Sequence, residues 1–352
     1  MIVQSARART EALALTRPYT IATTTIAAVE LSIVELRAGG LLGLGAASPA
    51  EHVTGESDAA CRAALSELDW LVGRDARALP LLCREAARRM LATPAARAAI
   101  DIALHDLLAK QLGVPLVEML GRAHEALPTS ITIGIKPTAE ALAEAREYLE
   151  RGFRVLKVKL GLSLEEDLER VTKLRELVGP GVTLRVDPNQ GYTPASLKRF
   201  VERTTELDIE FLEQPLPARD VAALRALPAD LRARVAVDES LLDEADALEL
   251  VRPSPACGIF NIKLMKCGGI QPARGIARIA ELAGVRLMWG CMDESRISIA
   301  AALHAALASP ATRYLDLDGS FDLERDVVSG GFSVQEGILR TLDAPGLGVT
   351  VL

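Results

Sequence analysis

RVLKVKL (154–160), TLRVDPN (183–189), IEFLEQP (209–215), VAVDES (235–240) and IFNIKL (259–264) are β-branched runs that recur at a nearly even spacing. Each carries Lys, Asp or Glu at or near its end. The rhythm extends outward to TSITIGI (129–135) on one side and to RLMWGC (286–291) and YLDLDG (314–319) on the other. Between the runs lie stretches such as 138–151, 163–178 and 270–283, whose apolar residues recur at three and four, the period of an amphipathic helix. Eight strands with seven helical stretches between them predict an α/β fold closed into a parallel barrel. A doubly wound sheet is the alternative. It would want a Gly-rich phosphate turn after its first strand, and ITIGIKPTAE (131–140) offers none.

Upstream, residues 2–10, 27–37 and 41–46 read as a β-meander with Gly39-Gly40 in a turn. Helices are predicted near 54–73, 80–90 and 94–112, the last with Thr93 as N-cap and Pro94 in its first turn. Downstream, the Gly-rich 325–352 carries short strand-like pieces and is expected to pack back on the N-terminal part. The expected units are therefore 1–124, 125–324 and 325–352.

Composition narrows the classes. Of the 352 residues, 49% are apolar and 3% aromatic, so the core must rest on aliphatic side chains. A net charge of −7 with no basic face argues against a nucleic-acid partner. The apolar run at 297–308 is short and contains His304, which argues against a membrane span. MIVQSARART at the start has no apolar signal region. The five cysteines show no metal spacing, which suits free thiols in a cytoplasm.

Active sites of parallel barrels lie at the C-terminal ends of the strands, so the strand ends decide the chemistry. Asp187, Glu213 and Asp238 end three consecutive strands and can converge at the mouth. Three unpaired carboxylates repel, and a divalent cation resolves this; an all-oxygen set favours Mg²⁺ over zinc. Lys157 and Lys159 are two apart on one strand and point to the same side, inward being the cheaper choice. Lys263 lies four strands on, across the barrel from Lys159. Two amines flanking one metal-bound substrate form a two-base pair. The proton beside a carboxylate is weakly acidic, and Mg²⁺ with an ammonium stabilises the enediolate left by its removal.

KVKL, DPNQ, EQP, VDES and NIKLMKCGG at successive strand ends, with GVPLVEMLG closing the N-terminal part, resemble the muconate-lactonizing subgroup of the enolase superfamily. The resemblance covers nearly the whole chain. It implies a modified TIM barrel, (β/α)₇β, under an α+β capping domain formed by the N-terminal segment and the C-terminal tail. It also implies Mg²⁺ on Asp187, Glu213 and Asp238, acid/base work by Lys159 and Lys263, and an electrostatic role for Lys157. Relatives with a histidine after the seventh strand are excluded, since that end reads MWGC. LDLDG on the last strand resembles the dipeptide epimerases. There Asp316 and Asp318 would hold the substrate's α-ammonium, and Thr132, Cys291 and Asp293 would touch the dipeptide backbone.

Members acting on Ala–Glu carry an arginine in the N-terminal loop, whereas TIATTTIA here places Thr24. Acidic Glu51 and Asp293 near the pocket would favour a cationic dipeptide containing Lys or Arg. Within the subgroup, o-succinylbenzoate synthase, N-acylamino acid racemase and muconate cycloisomerase are the alternatives, and none needs the Asp316–Asp318 pair. A Schiff-base aldolase or a non-enzymatic scaffold would dispense with the metal. Such barrels often assemble through their outer helices, which is compatible with a homo-oligomer, and no decisive apolar patch marks where.

Overall fold

The computed structural model describes residues 1–20 and 25–352, and Thr24 lies outside the described residues. Strands β1 (Val3–Thr20), β2 (Thr25–Ala38) and β3 (Leu41–Ala47) form the antiparallel meander in that spatial order. β1 and β2 reach well beyond the lengths expected from sequence. The reason is tertiary: Leu13, Leu15 and Leu31 pack with Leu323 into a small core of their own, so the extended hairpin rests on the chain leaving the barrel.

The single helix expected over 54–73 is instead α1 (Glu51–Thr54) and α2 (Asp58–Leu65), followed by a 3₁₀ turn at Asp69–Leu71. Gly55 ends α1 in the left-handed region, and Ser57 starts α2 by accepting from the Ala60 amide at 3.2 Å. Helices α3 (Leu79–Arg89), α4 (Pro94–Leu112) and α5 (Leu116–Leu120) follow. Thr93 makes no side-chain cap on α4. Glu56 takes that role from a distance, accepting from the amides of Ala95 at 2.6 Å and Ala96 at 3.1 Å.

After β4 (Leu127–Pro128), eight parallel strands follow: β5 (Ile131–Ile133), β6 (Val155–Lys159), β7 (Thr183–Asp187), β8 (Ile209–Glu213), β9 (Val235–Val237), β10 (Ile259–Ile262), β11 (Arg286–Gly290) and β12 (Thr312–Asp316). Their neighbours follow chain order, and a parallel bridge between Thr129 and Leu315 joins the last strand to the first. The intervening helices are α6 (Thr138–Glu150), α7 (Leu164–Val178), α8 (Pro194–Arg203), α9 (Val221–Ala226), α10 (Ala229–Ala233), α11 (Glu244–Val251), α12 (Leu264–Cys267), α13 (Ile270–Ala283) and α14 (Arg296–Leu307). The result is a (β/α)₇β barrel beneath a capping domain. No helix among the described residues is long and apolar enough to cross a membrane.

The strand period of two sorts the barrel interior into storeys. Phe211, Ala236, Ile259, Met288 and Tyr314 form a closed apolar floor, with the Arg185 guanidinium 5.1 Å from both the Phe211 and Tyr314 rings. Two residues further along the same strands stand Asp187, Glu213, Asp238, Asn261, Gly290 and Asp316. The polar storey is thus one pleat above the floor.

The tail returns over the cap. β13 (Val328–Gly330) pairs with β16 (Val349–Val351), and β14 (Phe332–Gln335) with β15 (Ile338–Thr341), which also pairs with β4. Asp106 of α4 accepts from the amides of Leu44 at 2.9 Å and Leu347 at 2.8 Å, tying meander and tail to one helix. Asp101, one turn earlier, caps α13 of the barrel by accepting from Ile270 N at 2.6 Å and Gln271 N at 3.2 Å.

Candidate active site

The strand ends open into one cavity of about 370 Å³ roofed by residues of the capping domain. Lys157, Lys159, Asp238, Lys263, Asp316 and Asp318 line it from the barrel. Glu51 lines it from α1, Thr132 from β5, and Cys291 and Asp293 from the loop after β11. Asp187 and Glu213 are buried directly beneath. The strand-end residues singled out in the sequence therefore meet in one place.

Inside the polar storey every lysine is engaged. The Lys157 ammonium, 2% exposed, stands 2.8 Å from Asp316 Oδ2, 2.8 Å from Glu213 Oε2 and 3.1 Å from Asp187 Oδ2. Lys159 Nζ donates to Asp187 Oδ2 at 2.6 Å and to Asn189 Oδ1 at 3.0 Å. Lys263 Nζ lies 2.8 Å from Asp238 Oδ2. Since β6 and β10 are four places apart in an eight-stranded ring, Lys159 and Lys263 rise from opposite walls.

Asp316 also accepts from the Ser130 hydroxyl at 2.5 Å, and Asp318 Oδ2 from the Thr132 amide at 2.7 Å. The Cys291 thiol lies against both: its Sγ is 3.2 Å from the Asp316 carbonyl and 4.0 Å from Asp318 Oδ1, and it accepts from the Gly319 amide at 3.3 Å. Asp293 turns its backbone carbonyl to the Ser48 hydroxyl at 2.6 Å, joining the loop to the end of β3.

Burial and like charge shape the carboxyls. Glu213 is pushed up to about 7 by burial, with Asp187 and Asp238 adding to it. Asp318 is likewise raised to about 7 by burial and by its neighbour Asp316. In the opposite direction, burial is outweighed at Asp187 by Lys159 and Lys157, and its carboxyl falls below the usual range. Asp238 is lowered because Lys263 and Lys266 overcome its burial. For Lys157, burial opposes the charge, but Asp316, Glu213 and Asp187 hold the ammonium well above its ordinary value.

The residues suit a hard divalent ion. Asp187, Glu213, Asp238, Glu239, Asp316 and Asp318 are six acids around four ammonium groups, on Lys157, Lys159, Lys263 and Lys266. That leaves two negative charges uncompensated when all are ionised. Glu239 Oε2 is buried without a hydrogen-bond partner, and Glu213 Oε2 has only the Lys157 ammonium, at 2.8 Å. No three His, Cys, Asp or Glu side chains among the described residues form a ready-made cage, because each carboxylate leans on lysine or asparagine instead. The donor set is all oxygen, as Mg²⁺ prefers.

Sequence reasoning missed part of this storey. Asn261 donates to Glu213 Oε1 at 2.8 Å, and Lys266 donates to the Asp238 carbonyl at 2.5 Å and to its carboxylate. The signal was present: Lys266 is a cation inside the apolar stretch LMKC, where a buried charge must find a partner. Ser130 gave no comparable signal.

A barrel with opposed lysines over clustered strand-end acids defines an enolase-type site, and the comparisons agree. Residues 140–352 match the family described as enolase C-terminal domain-like, and residues 4–121 match the mandelate racemase / muconate lactonizing enzyme N-terminal domain. The chain belongs to this mandelate racemase / muconate lactonizing enzyme family of the enolase superfamily. It is 62% identical over 352 residues to an L-Lys-D/L-Arg epimerase of Methylococcus capsulatus, covering 99% of each chain. It is 35% identical to a hydrophobic dipeptide epimerase of Enterococcus faecalis, covering 99% of this chain and 100% of the relative. The crystal structure of the Methylococcus capsulatus dipeptide epimerase complexed with Mg and the dipeptide L-Arg-D-Lys superposes with a TM-score of 0.98, covering 99% of this chain and 100% of that one.

Proposed function

We propose that this protein is a Mg²⁺-dependent dipeptide epimerase acting on dipeptides with cationic side chains, of the Lys/Arg kind. The observation that carries the reading is the pair Lys159 and Lys263, rising from opposite walls into one cavity that also holds the Asp316–Asp318 pair. One lysine takes the α-proton of the carboxylate-bearing residue from one face. The other delivers a proton to the opposite face, inverting that carbon (a 1,1-proton transfer). Lys157, fixed among three carboxylates, holds positive charge beside the substrate carboxylate.

Asp187, Glu213 and Asp238 would hold the Mg²⁺, whose contribution when bound is positive charge that steadies the enediolate. Asp316 and Asp318 receive the α-ammonium, while Thr132, Cys291 and Asp293 line the dipeptide backbone. Glu51, with Asp293, selects a cationic side chain by attraction and disfavours an acidic one by repulsion. The 62% identity to the L-Lys-D/L-Arg epimerase supports that preference. Residues 1–124 with 325–352 serve as the cap, and 125–324 as the catalytic barrel. Five cysteines without a disulfide support a cytoplasmic setting.

The test is a dipeptide panel incubated with the enzyme and Mg²⁺ in D₂O and read by mass. Solvent deuterium at one α-carbon of Lys- and Arg-containing dipeptides is expected, and EDTA should abolish it. A clear preference for Ala–Glu would end the selectivity reading; the absence of exchange with every dipeptide would end the epimerase reading.

A further inference from the structure

We infer that Asn261 and Lys266 are positioning residues that aim two of the proposed metal-binding carboxylates, so that β10 and its following turn set both a base and the ion's seat. The inference rests on the Mg²⁺ reading above and extends it to residues outside the proposed donor set.

The geometry is specific. Lys266 is 2% exposed and sits on the α12 turn, three residues after Lys263. Its ammonium grips Asp238 twice, at the carbonyl (2.5 Å) and at carboxylate Oδ1, and donates also to the Asn261 carbonyl at 3.1 Å. Asp238 is thereby pinned through one oxygen, and its other oxygen, Oδ2, faces Lys263 at 2.8 Å. A carboxylate left free to rotate would present either edge.

Asn261 does the same for Glu213. Its amide donates to Oε1 at 2.8 Å and leaves Oε2 to the Lys157 ammonium, also at 2.8 Å. The amide needs space, and β11 provides it: a Cβ on Gly290 would fall 2.6 Å from Asn261 Oδ1 and 3.0 Å from its Nδ2. The missing side chain at 290 is where the Asn261 amide lies. Lys266, through the Asn261 carbonyl, links the two devices, so the carboxylates of β8 and the end of β9 are oriented from β10 and the turn that follows it.

Charge alone and positioning make opposite forecasts for Lys266→Met. Removing a cation beside a divalent-ion seat should tighten Mg²⁺ binding if the lysine supplied only charge. If it aims Asp238, Mg²⁺ affinity should fall about 10- to 100-fold, the usual loss when a partner behind a metal ligand is removed. Calorimetric titration of MgCl₂ into the full chain reads this without turnover. Asn261→Ala is the second variant, expected to weaken Mg²⁺ binding by a similar factor, and melting curves verify that each variant is folded. Gly290→Ala should mimic Asn261→Ala, and the double variant should be no weaker than Asn261→Ala alone, because the amide that the added methyl group would displace is already gone.

Saturating Mg²⁺ should restore most of kcat in each case, which loss of a reacting group would not allow. Mg²⁺ affinity in folded Lys266→Met or Asn261→Ala equal to or tighter than wild type would overturn the inference. Failure of the wild-type protein itself to bind Mg²⁺ would instead sink the reading on which it rests.

Discussion

The two walls of the cavity treat charge in opposite ways. At the barrel rim, most charges are buried and answered by one another: the Lys157 ammonium has three carboxylates within 3.1 Å. On the capping wall, Glu51 of α1 and Asp58 of α2 line the same cavity with no ion pair to either among the described residues. Asp58 is raised by burial and by the proximity of Glu51, as expected of two acids lacking a cation between them. The rim's charges are mutually fixed, so they can hold a reacting carbon in register. Glu51 and Asp58 on the wall are satisfied only from outside, so they can choose what enters.

The largest effect that could break this contrast is at the rim. Lys159→Ala and Lys263→Ala should each lower kcat by about 10²- to 10⁴-fold, the range for removing a general acid or base. Each should retain deuterium exchange from only one epimer of the substrate, read by mass in D₂O. Full epimerisation by either variant would dissolve the division of labour.

Next comes a pH effect at Asp318. Its carboxyl, raised to about 7, must be ionised to receive an ammonium, so kcat/KM should climb as pH rises through that value and fall as pH drops below it. At pH 6 the ionised fraction is about tenfold lower than when fully charged. Asp318→Asn should be slow at every pH and lack that limb. A wild-type profile flat from pH 6 to 8 would argue against the assignment.

Smallest is the wall. Glu51→Gln should raise KM for Lys- and Arg-containing dipeptides about tenfold with kcat nearly unchanged. Its melting temperature should hold, since an exposed side chain without internal partners usually changes stability by less than about 0.5 kcal/mol. If instead kcat fell and KM did not move, the wall would be part of the chemistry.

The contrast also explains what could be read in advance. The rim was legible because a strand puts every second residue on one side, and runs such as KVK, RVD and FLE announce their inward members. The break at Gly55–Ser57 and the capping of α4 by Glu56 were not, because each depends on how distant segments meet. Asn261 was hidden for the same reason. Its meaning lies in the space above Gly290, which no pattern within β10 records.

Asp101 carries a consequence for anyone who would exchange caps between relatives. Its carboxylate belongs to the cap by sequence yet finishes the first turn of a barrel helix, α13, through Ile270 and Gln271. A transplanted lid must therefore arrive with an acid at that point on its own helix, or the recipient barrel inherits two orphaned amides. The boundary between the modules is drawn through a shared hydrogen-bonded joint, and grafts that ignore it should lose thermal stability before they lose selectivity.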